Sequence, residues 1–164
     1  MSQPNLVVPA GVATRLCGDI RRHGQSGVET GGLLLTKPGD PVVRVVAVAG
    51  TTGIIRRYGL FVITRPAFDA MFTWAEDHNL QVRAMVHSHA EEAFLSRTDR
   101  EGGLRVRGFY SAVVPTFADP PADPAGWRWW TYGSDWVQVQ APRLDSTANL
   151  TDCVVFDGDG VRAD

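Results

Sequence analysis

The sequence predicts an α/β domain with a mixed sheet flanked by helices. Two stretches, 9–23 and 66–79, carry apolar residues at helical spacing. Several short runs rich in valine, isoleucine, leucine and aromatic residues are bounded by turn-forming clusters, as strands are. Neighbouring runs are joined by short turns, so much of the sheet is expected to pair antiparallel.

In order along the chain, 9–23 reads as a helix with Val12, Leu16 and Ile20 on one side and Gly24 as its stop. Residues 31–36 and 42–48 read as a hairpin across Lys37, Pro38, Gly39 and Asp40. Residues 50–59 hold three glycines and two arginines and read as a mobile loop that could grip an extended peptide. A strand over 60–64 precedes the second helix, where Pro66 suits the first turn and Phe68, Phe72 and Ala75 share a side. Residues 81–87 form a central strand and 90–95 a loop. Ser96 then caps a short helix carrying Asp99, and 109–114 form the next strand. The proline-rich 118–126 is irregular. Residues 127–132 and 136–140 alternate around Gly133, Ser134 and Asp135 as a hairpin, and 151–156 form a last strand. The Gly- and Asp-rich 157–164 is expected to fray as a flexible tail.

The 164 residues fit one domain, 1–164, long enough to bury a core without staples. A net charge of −2 leaves no broad basic footprint for nucleic acid. The pairs Arg21-Arg22 and Arg56-Arg57 read as solvated surface. Cys17 and Cys153 are too far apart for a C-x-x-C unit, and a single disulfide between them stays open. No signal peptide is recognisable at the start, and no apolar run has membrane-spanning length, so a cytoplasmic, membrane-free protein is expected.

Chemistry concentrates in His87-Ser88-His89 and Ser96-Arg97-Thr98-Asp99. An H-x-H at a strand end aims both imidazoles at one point, because i and i+2 share a face. Two imidazoles and a carboxylate suit zinc and leave a fourth position free, as in catalytic sites. Such a site needs a base, and Glu29 is the candidate; it stands at the entrance of an apolar strand, before Gly31 and Gly32, which permit close approach of backbone or substrate. Periodicity alone does not bring Glu29 near His87. His23 and His78 follow amphipathic helices and read as helix-end residues. Of Trp127, Trp129, Trp130 and Trp136, half should point inward; one exposed tryptophan would make a partner contact.

Together, Glu29-Thr30-Gly31-Gly32, His87-Ser88-His89 and Ser96-x-x-Asp99 resemble the JAMM motif of the JAB1/MPN/Mov34 metalloproteases, over residues 10–115 and in that family's order. The resemblance implies an MPN-like (cytidine-deaminase-like) domain with a curved mixed sheet. It implies that His87, His89 and Asp99 bind Zn2+, that Glu29 activates the attacking water, and that Ser96 stabilises the oxyanion. The implied reaction is hydrolysis of an amide or isopeptide bond after the C-terminal glycine of a ubiquitin-like protein. The short single-domain form is similar to prokaryotic members. Those are associated with ubiquitin-like proteins and activating or conjugating enzymes, including in bacterial antiphage defence. Two departures stand out: Ala90 replaces the usual proline, and six residues rather than seven separate His89 from Ser96. A loop one residue shorter can still close.

Other metal classes fit poorly. A non-haem iron oxygenase would use two histidines and a carboxylate in other arrangements, and no histidine follows His89. A zinc deaminase needs a cysteine pair, and a zincin needs H-E-x-x-H; both are absent. Two alternatives stay open: trimming of a sulphur-carrier ubiquitin-fold protein, and a non-catalytic MPN scaffold. The five retained positions favour activity.

Overall fold

The structure, a computed structural model, describes residues 1–147 and 152–164. The chain begins with strand β1 (Val7–Pro9), helix α1 (Ala10–Gln25) and strands β2 (Gly31–Thr36) and β3 (Val43–Ala49). Strands β4 (Ile54–Arg57) and β5 (Leu60–Ile63) precede helix α2 (Arg65–Asp77), strand β6 (Gln81–Ser88) and helix α3 (Arg97–Gly102). Strands β7 (Tyr110–Val114), β8 (Arg128–Tyr132), β9 (Trp136–Val139), β10 (Arg143–Asp145), β11 (Asp152–Asp157) and β12 (Gly160–Ala163) follow.

Eight strands make one mixed sheet in the order β12-β11-β3-β2-β6-β7-β8-β9. The β3–β11 and β6–β7 pairs are parallel and the others antiparallel. β2 lies near the middle with all six residues buried, which explains its unbroken apolar run. Its side chains alternate between two cores. Leu34 faces α1, beside Val12, Leu16 and Ile20. Leu33 and Leu35 face α2, beside Ala67, Met71 and Ala75. The sheet is therefore covered by α1 on one face and by α2, β5 and α3 on the other, in agreement with the expected mixed α/β architecture.

Several expectations need correction. Helix α1 runs through Gly24, because that glycine serves packing and not termination: a Cβ there would fall on the main-chain oxygen of Phe117. The apolar stripe of α2 is Ala67, Met71 and Ala75, at i, i+4 and i+8; Phe72 is half-exposed. The helix ends through Asn79, whose φ of 53° is the left-handed conformation that stops helices. The 50–59 segment is not an irregular loop, since β4 pairs with β5 in a hairpin. Arg56 is not solvated surface: its guanidinium donates to Thr30 Oγ1 and to the main-chain oxygens of Ala49 and Gly50.

The 157–164 tail does not fray. β12 pairs with β11 across Asp157-Gly158-Asp159-Gly160. Asp157 accepts hydrogen bonds from Thr51 N, Asp159 N and Arg162. Asp-Gly between two short strands is a hairpin signal that composition alone obscured. Thr151, the expected start of the last strand, lies outside the described residues. The β1–β10 pair was not anticipated, each strand being three residues long. All four C-terminal tryptophans are buried, so none offers a partner contact. Trp129 and Trp130 do point to opposite faces, one into each core. Cys17 and Cys153 are both free, and no helix among the described residues is long and apolar enough to cross a membrane.

Two glycines of α1 separate packing from propensity. Gly24→Ala is expected to destabilise by about 1–3 kcal/mol through overpacking. Gly18→Ala, with open space around its would-be Cβ, should stabilise by about 0.5–1 kcal/mol through helix propensity. Denaturant midpoints of the two variants test this; equal shifts would contradict it.

Candidate metal centre

Strand β6 delivers the histidines. His87 is its penultimate residue, and His89 follows one residue past its end. The backbone of His89 stays in register with β7, because His89 N donates to Val114 O and Phe117 N donates to His89 O. The two rings therefore share a face. His87 Nε2 and His89 Nε2 lie 3.3 Å apart. His87 lies against Phe61, with near-parallel rings, and His89 meets the edge of Phe94.

Glu29 arrives from the neighbouring strand. β2 and β6 pair with Gly31 opposite His87. Gly31 has to be glycine, since a Cβ would fall on Val86 O and come within 2.9 Å of Phe61. The close approach read from Gly31 and Gly32 thus serves backbone, not substrate. Ser88 Oγ accepts from Thr30 N, and Glu29 N donates to Arg57 O. Held from both sides, Glu29 is buried, with Oε1 3.6 Å from His89 Nε2.

Asp99 comes from α3, which starts with a capping box. Ser96 Oγ accepts from Asp99 N, and Asp99 Oδ2 accepts from Ser96 N, both at 3.0 Å. The same carboxylate places Oδ1 3.1 Å from His87 Nε2 and Oδ2 3.1 Å from His89 Nε2. The shortened 90–95 loop therefore still brings Asp99 to both imidazoles. At the other end of α3, Trp136 Nε1 donates to Arg100 O.

All five residues singled out from the sequence, Glu29, His87, His89, Ser96 and Asp99, sit in one place. Sequence reasoning missed their supports: Arg56, which ties Thr30 to the end of β3, the Glu92 carbonyl beside His89, and Trp136 behind α3. It also missed Tyr58 and Phe94. These line an open cleft of about 270 Å3 with Glu29, His89 and Ser96.

The donor set fits a divalent cation. His89 Nδ1 lies 3.1 Å from Glu92 O, so Nδ1–H donates there and Nε2 presents a lone pair to the site. Tetrahedral zinc with bonds near 2.0–2.1 Å places its ligand atoms about 3.3 Å apart. The two Nε2 atoms are 3.3 Å apart, as two such ligands would be, and each lies 3.1 Å from a different oxygen of the Asp99 carboxylate. His87, His89 and Asp99 could accordingly hold a metal ion. Electrostatics point the same way. Burial pushes the Glu29 carboxyl up to about 8, with Asp99 adding to the rise and His89 opposing it. Burial would also raise Asp99, but its bonds from both imidazoles and from Ser96 N hold it well below the usual carboxylate range. Burial disfavours a charged His89, yet Asp99 and Glu29 keep its pKa above the ordinary value. Protons and a cation compete for this cluster.

No protein-family model matches the sequence, and neither does any curated protein sequence. Solved structures are similar in fold. A protein from Desulfitobacterium hafniense, solved in solution, is 12% identical with a TM-score of 0.60, over 88% of this chain and 96% of that one. A JAB1/MPN domain protein from Archaeoglobus fulgidus is 15% identical with a TM-score of 0.49, over 88% and 98%. A protein from Salinibacter ruber is 24% identical with a TM-score of 0.49, over 84% and 93%. The first likeness spans nearly the whole of both chains and shows a shared fold.

Zinc is expected to bind at one ion per chain, and His89→Ala or Asp99→Ala should abolish uptake in metal analysis. Below the raised His89 pKa, protons occupy Nε2 and oppose the metal. Neutral Glu29 stabilises the metal-free fold at low pH and loses that contribution as pH rises toward about 8. Both effects have one sign: the zinc-induced rise in melting temperature should grow from about pH 5.5 to about pH 8. A rise that shrinks with pH would contradict the ligand assignment.

Proposed function

We propose that this protein is a zinc-dependent metallopeptidase of the JAB1/MPN/Mov34 type that hydrolyses the amide bond after the C-terminal glycine of a ubiquitin-like protein. One observation supports this best: the Glu29 carboxylate lies beside three convergent metal donors, 3.6 Å from His89 Nε2, and lines an open cleft. A merely structural metal site would have no reason to place a base there.

Bound zinc would supply Lewis acidity, making a water acidic near neutral pH and polarising the scissile carbonyl. His87 and His89 would hold the ion through Nε2, and Asp99 through its carboxylate. Glu29 takes the proton of the attacking water and returns it to the leaving amine. A carboxyl near 8 retains a captured proton long enough to deliver it, and a nearby cation draws it down into the range of a base. Ser96 Oγ accepts from Asp99 N, which leaves its O–H to donate to the developing oxyanion. Capping and catalysis thus use different faces of one hydroxyl.

A glycine-ended tail offers few side chains, so main-chain pairing as an added strand beside the sheet holds it. Tyr58 and Phe94 wall the cleft through which that tail reaches the donors. The partners are the ubiquitin-like protein and its conjugates, with the activating or conjugating enzymes of the same cytoplasmic system, bacterial defence included.

The test is a ubiquitin-like protein fused through its C-terminal glycine to a reporter. Wild type with zinc should release the reporter, and a chelator should stop release. Glu29→Ala should keep full zinc while turnover falls about 10²–10⁴-fold. Largely intact turnover in that variant would refute the role of Glu29.

A further inference from the structure

His89 has a partner for each ring nitrogen, and His87 does not. His87 Nε2 faces Asp99 Oδ1, while Nδ1 is buried with no hydrogen-bond partner among the described residues. A buried polar atom left unpaired is destabilising. A metal-ligating histidine almost always donates its second ring N–H to something, which fixes the tautomer.

The register of the sheet supplies that something. β6 and β7 run parallel, with Met85 opposite Ser111 and His87 opposite Val113. Ser111 and His87 therefore project from the same face, the one covered by α2 and β5. Ser111 is a buried polar residue in an otherwise apolar strand, Tyr110–Val114. Both residues line one cavity of about 20 Å3, whose wall includes Phe61, Met85 and Phe109. A cavity of that size admits a single water, which needs at least two polar partners. Two other polar residues line it: Thr98, which is exposed, and Asp99, whose carboxylate already faces both imidazoles and Ser96 N; His87 Nδ1 and Ser111 Oγ remain to hold the water.

We propose that Ser111 is a positioning residue of the metal centre: through one buried water it takes up the Nδ1–H of His87. That bond keeps the proton on Nδ1 and presents the Nε2 lone pair to the ion, as Glu92 O does for His89. The inference rests on the metal centre described above. It also explains why a serine occupies the middle of a buried strand.

The test uses the full-length chain and zinc. Chelator competition should show zinc affinity about 10–100-fold weaker in Ser111→Ala, while the metal-free melting temperature stays close to wild type. In zinc-loaded wild type, the His87 Nδ1–H should show a magnetisation-transfer contact to a long-lived buried water in NMR spectra. This second measurement needs no substitution and decides the matter if the variant does not fold. Unchanged zinc affinity in folded Ser111→Ala, or no such water contact in wild type, overturns the role of Ser111 and leaves the centre standing. A wild type that takes up no zinc refutes the centre, and Ser111's role with it.

Discussion

The site depends on how closely β2 lies against β6. Gly31 faces His87 across the ladder, and no side chain larger than hydrogen fits there. That contact sets where the chain enters the sheet, two residues after Glu29. The Ser88 hydroxyl and the Arg57 carbonyl then take the amides of Thr30 and Glu29. From that position the Glu29 carboxylate lies 3.6 Å from His89 Nε2. Arg56 extends the same bracing, with three hydrogen bonds that join Thr30 to the end of β3. A buried carboxylate is costly to position by side-chain packing alone. Here Glu29 N donates to Arg57 O, Thr30 N to the Ser88 hydroxyl and Ser88 N to Thr30 O, so bonds from β4 and β6 hold its backbone.

Asp99 is positioned by local means. The capping box fixes both ends of a four-residue unit, so Ser96 and Asp99 cannot move independently. Helix α3 is only six residues long and would be marginal alone. The indole of Trp136 secures its far end by donating to Arg100 O. Behind Trp136 stands the β8–β9 hairpin, whose other tryptophans fill both cores. The aromatic residues near the C-terminus thus act on the site indirectly, as the wall against which the aspartate-bearing helix rests.

Strong period-two and helical patterns made the central elements legible: α1, β2, β3, β6 and β7 fall close to where apolar runs and turn residues put them. What escaped reading was set by partners distant in sequence. Nothing local says that Gly24 touches Phe117, or that Arg56 is drawn inward by the carbonyls of β3. The hairpin of β4 and β5 is rich in glycine and arginine, so composition argued for a loop while long-range support made it a ladder. The tail looked frayed because Asp157 is polar, yet its carboxylate is the acceptor that closes the last hairpin. The five site residues were legible as motifs, whereas their supports act through main-chain atoms or at long range and leave no motif. Ser111 is the intermediate case: a lone serine in an apolar strand is visible in the sequence, but its relation to His87 appears only with the strand register.

The charge balance of the cluster adds to the convergent donors as an argument for a cation. Two carboxyls and two imidazoles occupy a space from which water is mostly excluded, where an unbalanced charge is expensive. Without metal, protons are favoured in the same place: burial holds the Glu29 carboxyl near 8, and Asp99 and Glu29 keep the His89 pKa above its ordinary value. A cluster built only for stability would close this balance with an arginine, whose charge is permanent and whose fork matches a carboxylate. None enters; Arg56 turns its guanidinium to Thr30 and two carbonyls instead. His89 already spends its Nδ1–H on Glu92, so the atom it aims at Asp99 and Glu29 is the one that must gain a proton or a metal to be attractive. The protons occupy the position of a removable positive charge. A bound ion would supply the positive charge that protons otherwise supply, so metal binding and proton release are coupled in this cluster.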